Sequence, residues 1–311
     1  MSPKVTHVIA THTLKRVTSF ASVLVAGILI VAKLAAYYLT GSVALLSSLV
    51  DSGVDLLASL ITAYGVIVAL RPPDRDHRYG HGKAEALSAL AQAAFIVFSS
   101  ALLVKEAVGR FISPEPIRQI QTGYLVMGLA IILTLLLLAL QSYTISRTKS
   151  LAIASDRLHY AGDVLINLAV MVTFALQDVF DMAWADPVFA LLIAGGMCLG
   201  ALKIGRGALH VLMDREMDER DREKILKLAQ KVKGVLGAHD LRTRMDVGRP
   251  IIEIHIEMSP DLSLAQAHEI TDRVTERIEK AYPKADILIH QDPYGVTEPR
   301  LDAAIEKECE R

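Results

Sequence analysis

Six apolar runs, each long enough to cross a membrane, constrain the fold of this chain more than any other feature. Crossing the ~30 Å hydrocarbon core of a bilayer takes about 20 helical residues. The runs extend over Val17–Tyr38, Ser42–Leu70, Ala84–Ile112, Thr122–Ser146, Leu151–Leu176 and Trp184–Leu209. The sequence therefore predicts an α-helical membrane protein with six transmembrane helices, followed by a soluble segment.

Basic residues in the connections predict the orientation of the helices. They precede the first run and lie between the second and third runs and between the fourth and fifth: Lys4, Lys15, Arg16, Arg71, Arg75, Arg78, Lys83, Arg147 and Lys149. Lys and Arg are in excess in cytoplasmic loops. Both termini are therefore predicted to be cytoplasmic.

The composition changes after about Leu212, where charged, soluble sequence begins. The predicted elements beyond it are a helix over Asp218–Lys233, a strand over His239–Val247, an alternating strand over Ile251–Met258, a helix from Ser263 to about Tyr282 and a strand over Asp286–His290. This α-β-β-α-β order predicts a small α+β domain with helices on one face of a sheet. The predicted domains are 1–212 in the membrane, 213–295 in the cytosol and a tail over 296–311.

Charge and cysteine content exclude several classes of function. The formal net charge is −1 and no basic patch carries interleaved aromatic residues, so we predict no nucleic-acid partner. The two cysteines, Cys198 and Cys309, form neither a CxxC pair nor a disulfide framework. A metal site in this chain must therefore be built from histidines and carboxylates. The N-terminal segment shows no cleavable signal pattern.

Two pairs of ionisable residues recur at helical spacing inside the predicted spans. The second run contains SLVDSGVDLLASL, with Asp51 and Asp55, and the fifth contains SDRLHYAGDVLINLAV, with His159 and Asp163. Residues four apart share one face of a helix and lie about 6 Å apart along its axis. Two such helices can close a tetrahedral shell of four ligands, which is the geometry that Zn²⁺ prefers. We therefore predict an intramembrane site for a divalent cation.

The cost of burying these groups favours a functional role. Each ionised carboxylate within a span costs roughly 2.5–3.5 kcal/mol on insertion scales. A divalent cation neutralises most of their charge, and protons can replace it because both compete for the same lone pairs. Polar helix ends near the interface, or an ion-paired packing element, remain as alternatives. No intramembrane lysine is evident as a counter-ion, although Arg157 could serve in part.

An intramembrane aspartyl protease is another interpretation of the same residues. Tyr160-Ala161-Gly162-Asp163 has a faint likeness to the Gly-x-Gly-Asp element of such enzymes, with Asp55 as a second carboxylate. Tyr160 replaces the first glycine, and the sequence has neither the usual Tyr-Asp partner nor a His-Glu-x-x-His motif. We therefore predict that the protein is not an enzyme.

The ordered motifs resemble the cation diffusion facilitator family, in its bacterial zinc and ferrous-iron efflux branch. The resemblance is carried by SLVDSGVDLLASL, DHRYGHGKAEALSALAQ, SDRLHYAGDVLIN, GAHDLRTR and IHQDP, over about 280 residues. It implies six spans, a metallochaperone-like cytosolic domain and a homodimer. It also implies transport at Asp51, Asp55, His159 and Asp163 by antiport against protons.

The resemblance further implies functional residues at the ends of the spans. Asp74, His77 and His81 would form a secondary metal site in the loop between the second and third spans. The residues alone do not distinguish this loop from a solvated one. Lys83 and Asp214 would interlock the membrane and cytosolic domains at the dimer contact.

A binuclear metal site in the cytosolic domain is also implied by the resemblance. Its residues would be His239, His255, His290 and Asp292, with His268 on its edge, at the dimer interface. The alternation of the second strand places His255 on the face opposite the isoleucines. Metal bound there would stabilise the dimer and regulate the protein.

Comparison with other branches of that family narrows the expected ions and location. Branches that carry other metals replace Asp51 with asparagine, or replace the His159 and Asp163 pair with two carboxylates. This chain keeps Asp51, His159 and Asp163. These residues favour Zn²⁺ and Cd²⁺ over Mn²⁺ and leave Fe²⁺ open. Zn²⁺ is expected as substrate and as a structural or regulatory ion, with no other cofactor. The short SRTKS connection fits a bacterial inner-membrane protein.

Proton-coupled export of a divalent transition metal is the expected function. A metal-responsive membrane sensor that regulates a partner is the alternative from another class. A passive channel is a third interpretation, and it would conduct without dependence on protons.

Overall fold

The chain forms two units with separate cores in a computed structural model that describes residues 3–40, 43–112, 123–180, 184–246, 249–296 and 299–309. The units are Met1–Leu212 and Met213–Arg311. The first contains helices, and the second contains both helices and strands.

Six long helices build the first unit: α1 (Pro3–Thr40), α2 (Val43–Ala69), α3 (Lys83–Ile112), α4 (Gly123–Thr148), α5 (Leu151–Phe180) and α6 (Ala185–Leu212). Within the described residues, five of them (α1, α2, α3, α4 and α6) are long and apolar enough to cross a membrane. Helix α5 matches α3 in length, with 30 residues each. It carries Asp156, Arg157 and Asp163 in its first half. The predicted helical membrane fold is confirmed.

Helix α1 begins much earlier than the sequence predicted. The predicted span started at Val17 because Lys15 and Arg16 were interpreted as loop charges. In the structure the helix starts at Pro3, and Lys15 is buried with its Nζ 2.6 Å from Oε2 of Glu85 on α3. A buried charge is tolerated when a partner compensates it. Lys15 is thus a packing residue of the bundle.

A glycine contact brings α2 and α3 close together. A Cβ built on Gly65 would overlap the Cβ and Oγ atoms of Ser88 and would lie 3.1 Å from the carbonyl oxygen of Ala84. The Ser88 Cβ and the Ala84 carbonyl oxygen are fixed by the α3 backbone and cannot rotate away. Small residues allow this kind of approach between membrane helices.

Gly65→Ala is expected to lower the stability of the membrane unit by about 1–3 kcal/mol, because overpacking a tight contact displaces backbone. Gly128→Ala on α4 is the matched control, since a Cβ built there meets nothing within 4 Å. Thermal unfolding of both variants in detergent measures the effect. Equal melting temperatures for the two variants would contradict the close contact.

The second unit is a three-stranded sheet with three helices. Its elements are α7 (Glu219–Gln230), β1 (Gly237–Asp246), β2 (Arg249–Met258), α8 (Leu264–Ala281), β3 (Asp286–Pro293) and α9 (Leu301–Cys309). The central strand β2 pairs antiparallel with β1 and parallel with β3. The predicted α-β-β-α-β order is confirmed. Helix α9 was not predicted, and it lies in the segment assigned to a tail.

The core of this unit lies on one face of β2. Ile252, Ile254 and Ile256 alternate along the strand and are fully buried against α7 and α8. Helix α8 contributes Ile270 and Val274 at helical spacing and begins with a capping box at Ser263. Because side chains alternate along a strand, the other face of β2 carries Glu253, His255 and Glu257, together with Ile251.

Candidate metal sites

Helices α2 and α5 bring together three of the four predicted transport-site residues. His159 Nε2 lies 3.0 Å from Asp55 Oδ1 and 3.9 Å from Asp163 Oδ2. Two ligands of a tetrahedral zinc ion are about 3.3–3.6 Å apart when each is bound at 2.0–2.2 Å. The observed separations bracket that value, so these three side chains can take one ion with a small adjustment. The side chain of Asp51 lies outside the described residues.

The three ligands of this cluster differ in their exposure. His159 is buried, whereas Asp55 and Asp163 are partly exposed. The ring of Phe95 on α3 meets the His159 ring edge-on, with centroids 5.9 Å apart. A low dielectric strengthens the attraction between a divalent cation and these carboxylates. The arrangement can therefore bind a cation and remains partly open to exchange it.

The basic side chains within the membrane helices are not those that the sequence analysis considered as counter-ions. An intramembrane lysine does exist, because Lys33 lies within the membrane-spanning part of α1 and its Nζ donates to Ser52 Oγ at 2.6 Å. Ser52 follows Asp51 on α2. The sequence analysis found no intramembrane lysine evident as a counter-ion, and it overlooked Lys33. Arg157 is exposed, and it donates to Ser142 Oγ.

The loop between α2 and α3 gathers Asp74, His77 and His81. Asp74 Oδ1 lies 3.4 Å from His77 Nδ1, and its Oδ2 lies 3.3 Å from His81 Nε2. The backbone amides of His77 and Asp76 donate to the same carboxylate. The amide of His77, above all, lowers the pKa of Asp74. This carboxylate is therefore ionised at neutral pH and available as a metal ligand.

Three histidines stand side by side across the sheet of the second unit. His239 on β1 pairs in register with His255 on β2, which pairs in register with His290 on β3. Asp292 Oδ2 lies 2.9 Å from His255 Nδ1 and 3.5 Å from His239 Nε2, and its Oδ1 lies 3.1 Å from His290 Nε2. Asp292 therefore contacts all three histidines of the row.

These side chains form two ligand groups that share His255. One group is His239, Asp240 and His255, and the other is His255, His290 and Asp292. Within each group, one donor atom per residue lies within 4.8 Å of the others. Imidazole and carboxylate are suitable ligands for Zn²⁺. Each group can bind one ion, and two ions can be bound together if His255 bridges them through its two ring nitrogens.

The sequence analysis missed Asp240 and Glu257 beside this cluster. Glu257 Oε1 lies 3.5 Å from His239 Nδ1 and is also ion-paired with Arg300. The alternation of β2 places Glu257 on the same face as His255, and that signal could have identified it. Asp240 follows a register shift in β1 and has a positive φ of 47°, which no alternation rule predicts.

His268 and the two interlock residues lie apart from these groups. His268 is exposed on α8 with its Nε2 3.6 Å from Asp272 Oδ2, and it joins none of the ligand groups found among the described residues. Lys83 Nζ donates to the Leu212 carbonyl oxygen within the first unit, and Asp214 Oδ1 lies 3.8 Å from Arg244 Nε within the second. The interlock between Lys83 and Asp214 stays a prediction.

The C-terminal helix α9 is held by Asp240. The backbone amides of Leu301 and Asp302 donate to the Asp240 carboxylate, and Asp302 Oδ2 accepts from the Asp240 amide. Burial raises the pKa of Asp240, but the two amides and the neighbouring His239 and His255 outweigh it, so the net shift is downward. The ionised carboxylate therefore stabilises the docked helix.

We expect the docking of α9 to weaken as the pH falls below 3.8, the ordinary pKa of an aspartate. A lowered pKa in the folded state means that the stabilisation is complete above the unfolded value and is lost as pH falls through the folded one. At neutral pH, Asp240→Asn should reduce the hydrogen-exchange protection of α9 by about 10- to 150-fold, the equivalent of a charged hydrogen bond of about 1.5–3 kcal/mol. Unchanged protection in this variant would contradict the contact.

Sequence comparison assigns both units to one family. The model of the cation efflux transmembrane domain matches residues 19–213, and that of the cation efflux protein cytoplasmic domain matches residues 217–294. The chain belongs to the cation efflux family. The resemblance to cation diffusion facilitators is thereby confirmed.

Close relatives cover nearly the whole chain. The cation-efflux pump FieF of Shewanella oneidensis is 42% identical over 281 residues, which are 90% of this chain and 95% of the relative. FieF of Cronobacter sakazakii is 40% identical over 283 residues, 91% of this chain and 94% of the relative. Both relatives are named as pumps, which are transporters.

Solved structures match a smaller part of the chain. The Zn form of CzrB is 25% identical and covers 28% of this chain and 99% of the solved one, with a TM-score of 0.25. A nickel form of the MamM CTD is 23% identical and covers 24% of this chain and 98% of the solved one, with a TM-score of 0.24. At these TM-scores the likenesses add nothing to the assignment, which rests on the family models and the relatives.

Proposed function

We propose that the protein exports a divalent transition metal from the cytoplasm in exchange for protons. The substrate is Zn²⁺, with Cd²⁺ and Fe²⁺ also accepted, and the transport site is Asp51, Asp55, His159 and Asp163. The observation that carries the proposal is the Asp55–His159–Asp163 cluster on two helices of a cation efflux protein, with a buried histidine and two partly exposed carboxylates. A divalent cation carries twice the charge of any side-chain cation, so it compensates two carboxylates more strongly than a single side chain can.

Exchange of metal for protons follows from the chemistry of these ligands. Imidazole and carboxylate bind a metal through the lone pairs that also accept protons, so the two compete. A site that alternates between the two sides of the membrane would bind metal from the cytoplasm and protons from the outside. The metal-bound site and the protonated site would then have similar net charges. This similarity limits the free-energy cost of exposing the site in turn to each side of the membrane.

The donor set supports zinc as the main substrate. One imidazole with carboxylates in a four-ligand shell suits Zn²⁺, and Cd²⁺ accepts the same ligands. Divalent metals bind N/O sites in an order that places Fe²⁺ below Zn²⁺, so availability in the cell decides whether iron is carried. Mn²⁺ is disfavoured because its usual sites contain more oxygen donors.

The protein acts as a homodimer in the inner membrane, with both termini in the cytoplasm. The family of its second unit is a cytoplasmic-domain family whose short name, ZT_dimer, refers to a dimer. The basic connections between the spans support this orientation. The ligand groups around His255 are assigned to dimer stabilisation and regulation by zinc, and the Asp74 loop to a secondary site that responds to metal.

Two rival functions make different use of the same residues. In an aspartyl protease the two carboxylates would share a proton directly, whereas here the His159 imidazole contacts both of them. A metal-responsive sensor would need only the sites outside the membrane and would leave the intramembrane cluster without a role. Transport is the function that uses the cluster.

Purified protein in liposomes with a zinc-sensitive dye inside tests the proposal. An acidic interior should accelerate zinc uptake, and collapsing the pH gradient should slow it. Uptake that ignores the gradient would indicate a channel, and metal-dependent dimerisation without uptake would indicate a sensor. Repeating the assay with Cd²⁺, Fe²⁺ and Mn²⁺ ranks the substrates, and faster transport of Mn²⁺ than of Zn²⁺ would contradict the proposed selectivity.

A further inference from the structure

A second carboxylate on α5 is more deeply buried than any of the described metal ligands. Asp156 is 1% exposed and lies three residues before His159, toward the start of α5. Its side chain meets groups from α2 and α4, and the surrounding polar network also reaches α1. It belongs to none of the ligand groups found among the described residues. Metal binding therefore does not account for it.

The partners of Asp156 are neutral. Gln141 Nε2 on α4 donates to Asp156 Oδ2 at 2.8 Å, and Ser59 Oγ on α2 lies 3.4 Å from Asp156 Oδ1. Among the described residues, no cationic side chain forms an ion pair with it. Burying an ionised carboxylate without a cation is costly in a membrane. A protonated carboxyl avoids that cost.

The hydroxyl contacts of Asp156 do not include the short donor that would hold a carboxylate ionised. A hydroxyl that donates to an ionised carboxylate lies about 2.5–2.7 Å from it, whereas Ser59 Oγ is 3.4 Å away. Ser59 Oγ is closer to Tyr160 Oη, at 2.8 Å, and Tyr160 Oη donates to the Ser22 carbonyl oxygen. Ser59 can therefore donate to Tyr160, and Tyr160 to the Ser22 carbonyl oxygen, so neither hydroxyl is committed to stabilising an ionised Asp156.

Gln141 suits both protonation states of Asp156. Its Nε2 also donates to Ser22 Oγ, and its Oε1 is buried with no hydrogen-bond partner among the described groups. Rotation of the amide would present Oε1 as an acceptor to a protonated Oδ2. A lysine or arginine at this place would instead hold the carboxylate ionised. The network thus permits Asp156 to gain and lose a proton.

The other titratable groups around α5 leave Asp156 as a separate proton site. On its own helix lie His159, Tyr160 and Asp163, and Arg157, which is exposed and donates to Ser142 Oγ. Asp55 on α2 is engaged with His159. The remaining described titratable groups on the helices packed against α5 are paired, at helix ends, exposed or only partly buried: His12, Lys15, Arg16, Lys33, Tyr37, Tyr38, Tyr64, Lys83, Glu85, Lys105, Glu106, Tyr143, Arg147, Cys198, Lys203, Arg206 and His210.

We propose that Asp156 is a proton-binding site of the transport cycle, separate from the metal ligands and occupied by a proton in this conformation. The inference rests on the proposed exchange of metal for protons. In the proposed orientation Asp156 lies about one helical turn on the cytoplasmic side of His159. A proton that leaves the metal ligands toward the cytoplasm meets Asp156 next. Separation of α1, α2 and α4 from α5 would hydrate the carboxyl and release its proton.

The decisive variant is Asp156→Asn, which keeps the shape of the side chain and cannot release a proton. In infrared difference spectra at neutral pH, wild type minus variant should show the C=O band of one carboxylic acid. In liposomes, the number of protons moved per zinc ion should fall by one. Ser100→Ala on α3, another buried polar residue, is the control and should change neither quantity.

The outcomes separate this inference from the proposed function. Absence of the carboxylic acid band, or an unchanged proton count in a variant that transports zinc, would overturn it. If wild type moved zinc without protons, the proposed function would fail, whereas the infrared band would still report the proton on Asp156. Should Asp156→Asn fail to fold, Ser59→Ala serves instead. It should shift the same band, and an unshifted spectrum would overturn the inference.

Discussion

Asp55→Ala is expected to reduce zinc transport in liposomes by at least about 100-fold, because loss of even an outer partner of a ligand costs about 10- to 100-fold in metal affinity. Asp55 is the residue of α2 whose carboxylate lies 3.0 Å from His159 Nε2. Without it, the two remaining described ligands both come from α5. The proposed site would then reach α2 only through Asp51, so both binding and the coupled movement should be strongly weakened.

Asp163→Ala should have an effect of similar size for a different reason. Asp163 lies 3.9 Å from His159 on the same helix, so its removal leaves the contact between α2 and α5 through His159 and Asp55. Weak binding should persist while transport fails. Titration of zinc in detergent together with uptake in liposomes distinguishes the two variants.

Asp261→Ala is the matched control, since Asp261 is an exposed aspartate in the other unit. It should transport at the wild-type rate. Wild-type transport by Asp55→Ala and Asp163→Ala would show that the metal does not pass through this cluster, whatever the family of the protein. Reduced transport by all three variants alike would indicate a general effect of substitution.

Hydrophobic periodicity was sufficient to predict most of the fold. The burial of Ile252, Ile254 and Ile256 followed from strand alternation, because a side-chain period of two leaves one face for the core. The long helices followed from apolar runs that match the thickness of a bilayer. Both signals are local, so they can be read without knowledge of tertiary contacts.

Residues whose environment depends on distant partners could not be predicted in this way. Lys15 was interpreted as a loop charge because its partner Glu85 is 70 residues away, on another helix. Lys33 was overlooked inside an apolar run, where its contact with Ser52 is visible only after α1 and α2 are packed. Helix α9 depends on Asp240, which is 61 residues from Leu301. In each case a nonlocal contact decides the structure.

The spacing of the ligands predicted which residues share a face of a helix, but it did not predict the complete sites. Positions four apart placed His159 and Asp163 on one face of α5, but the distance to Asp55 depends on how α2 packs against α5. The significance of Asp156 was not recognised because the motif gives no sign of its burial. The assignment of His268 to the cytosolic site stays a prediction, since its side chain is exposed on α8.

His255→Ala is expected to remove two metal ions from each chain, because His255 belongs to both ligand groups of the second unit. His239→Ala and His290→Ala should each remove one ion, since each residue belongs to one group. Equilibrium dialysis of the full chain in detergent against zinc measures the number of ions bound. Glu276→Ala on α8 is the control, because Glu276 is exposed and pairs with Lys280.

The position of Asp292 adds a second test of the same arrangement. Its carboxylate contacts all three histidines, at 2.9, 3.1 and 3.5 Å, so Asp292→Asn should weaken the binding of both ions without removing a histidine. In contrast, Asp240→Asn should weaken one ion and also loosen α9, because Asp240 holds the amides of Leu301 and Asp302. If His255→Ala lost no more metal than His290→Ala, the row would bind a single ion. The group that contains Asp240 would then hold no ion, and the contact between Asp240 and α9 would stabilise the helix without metal.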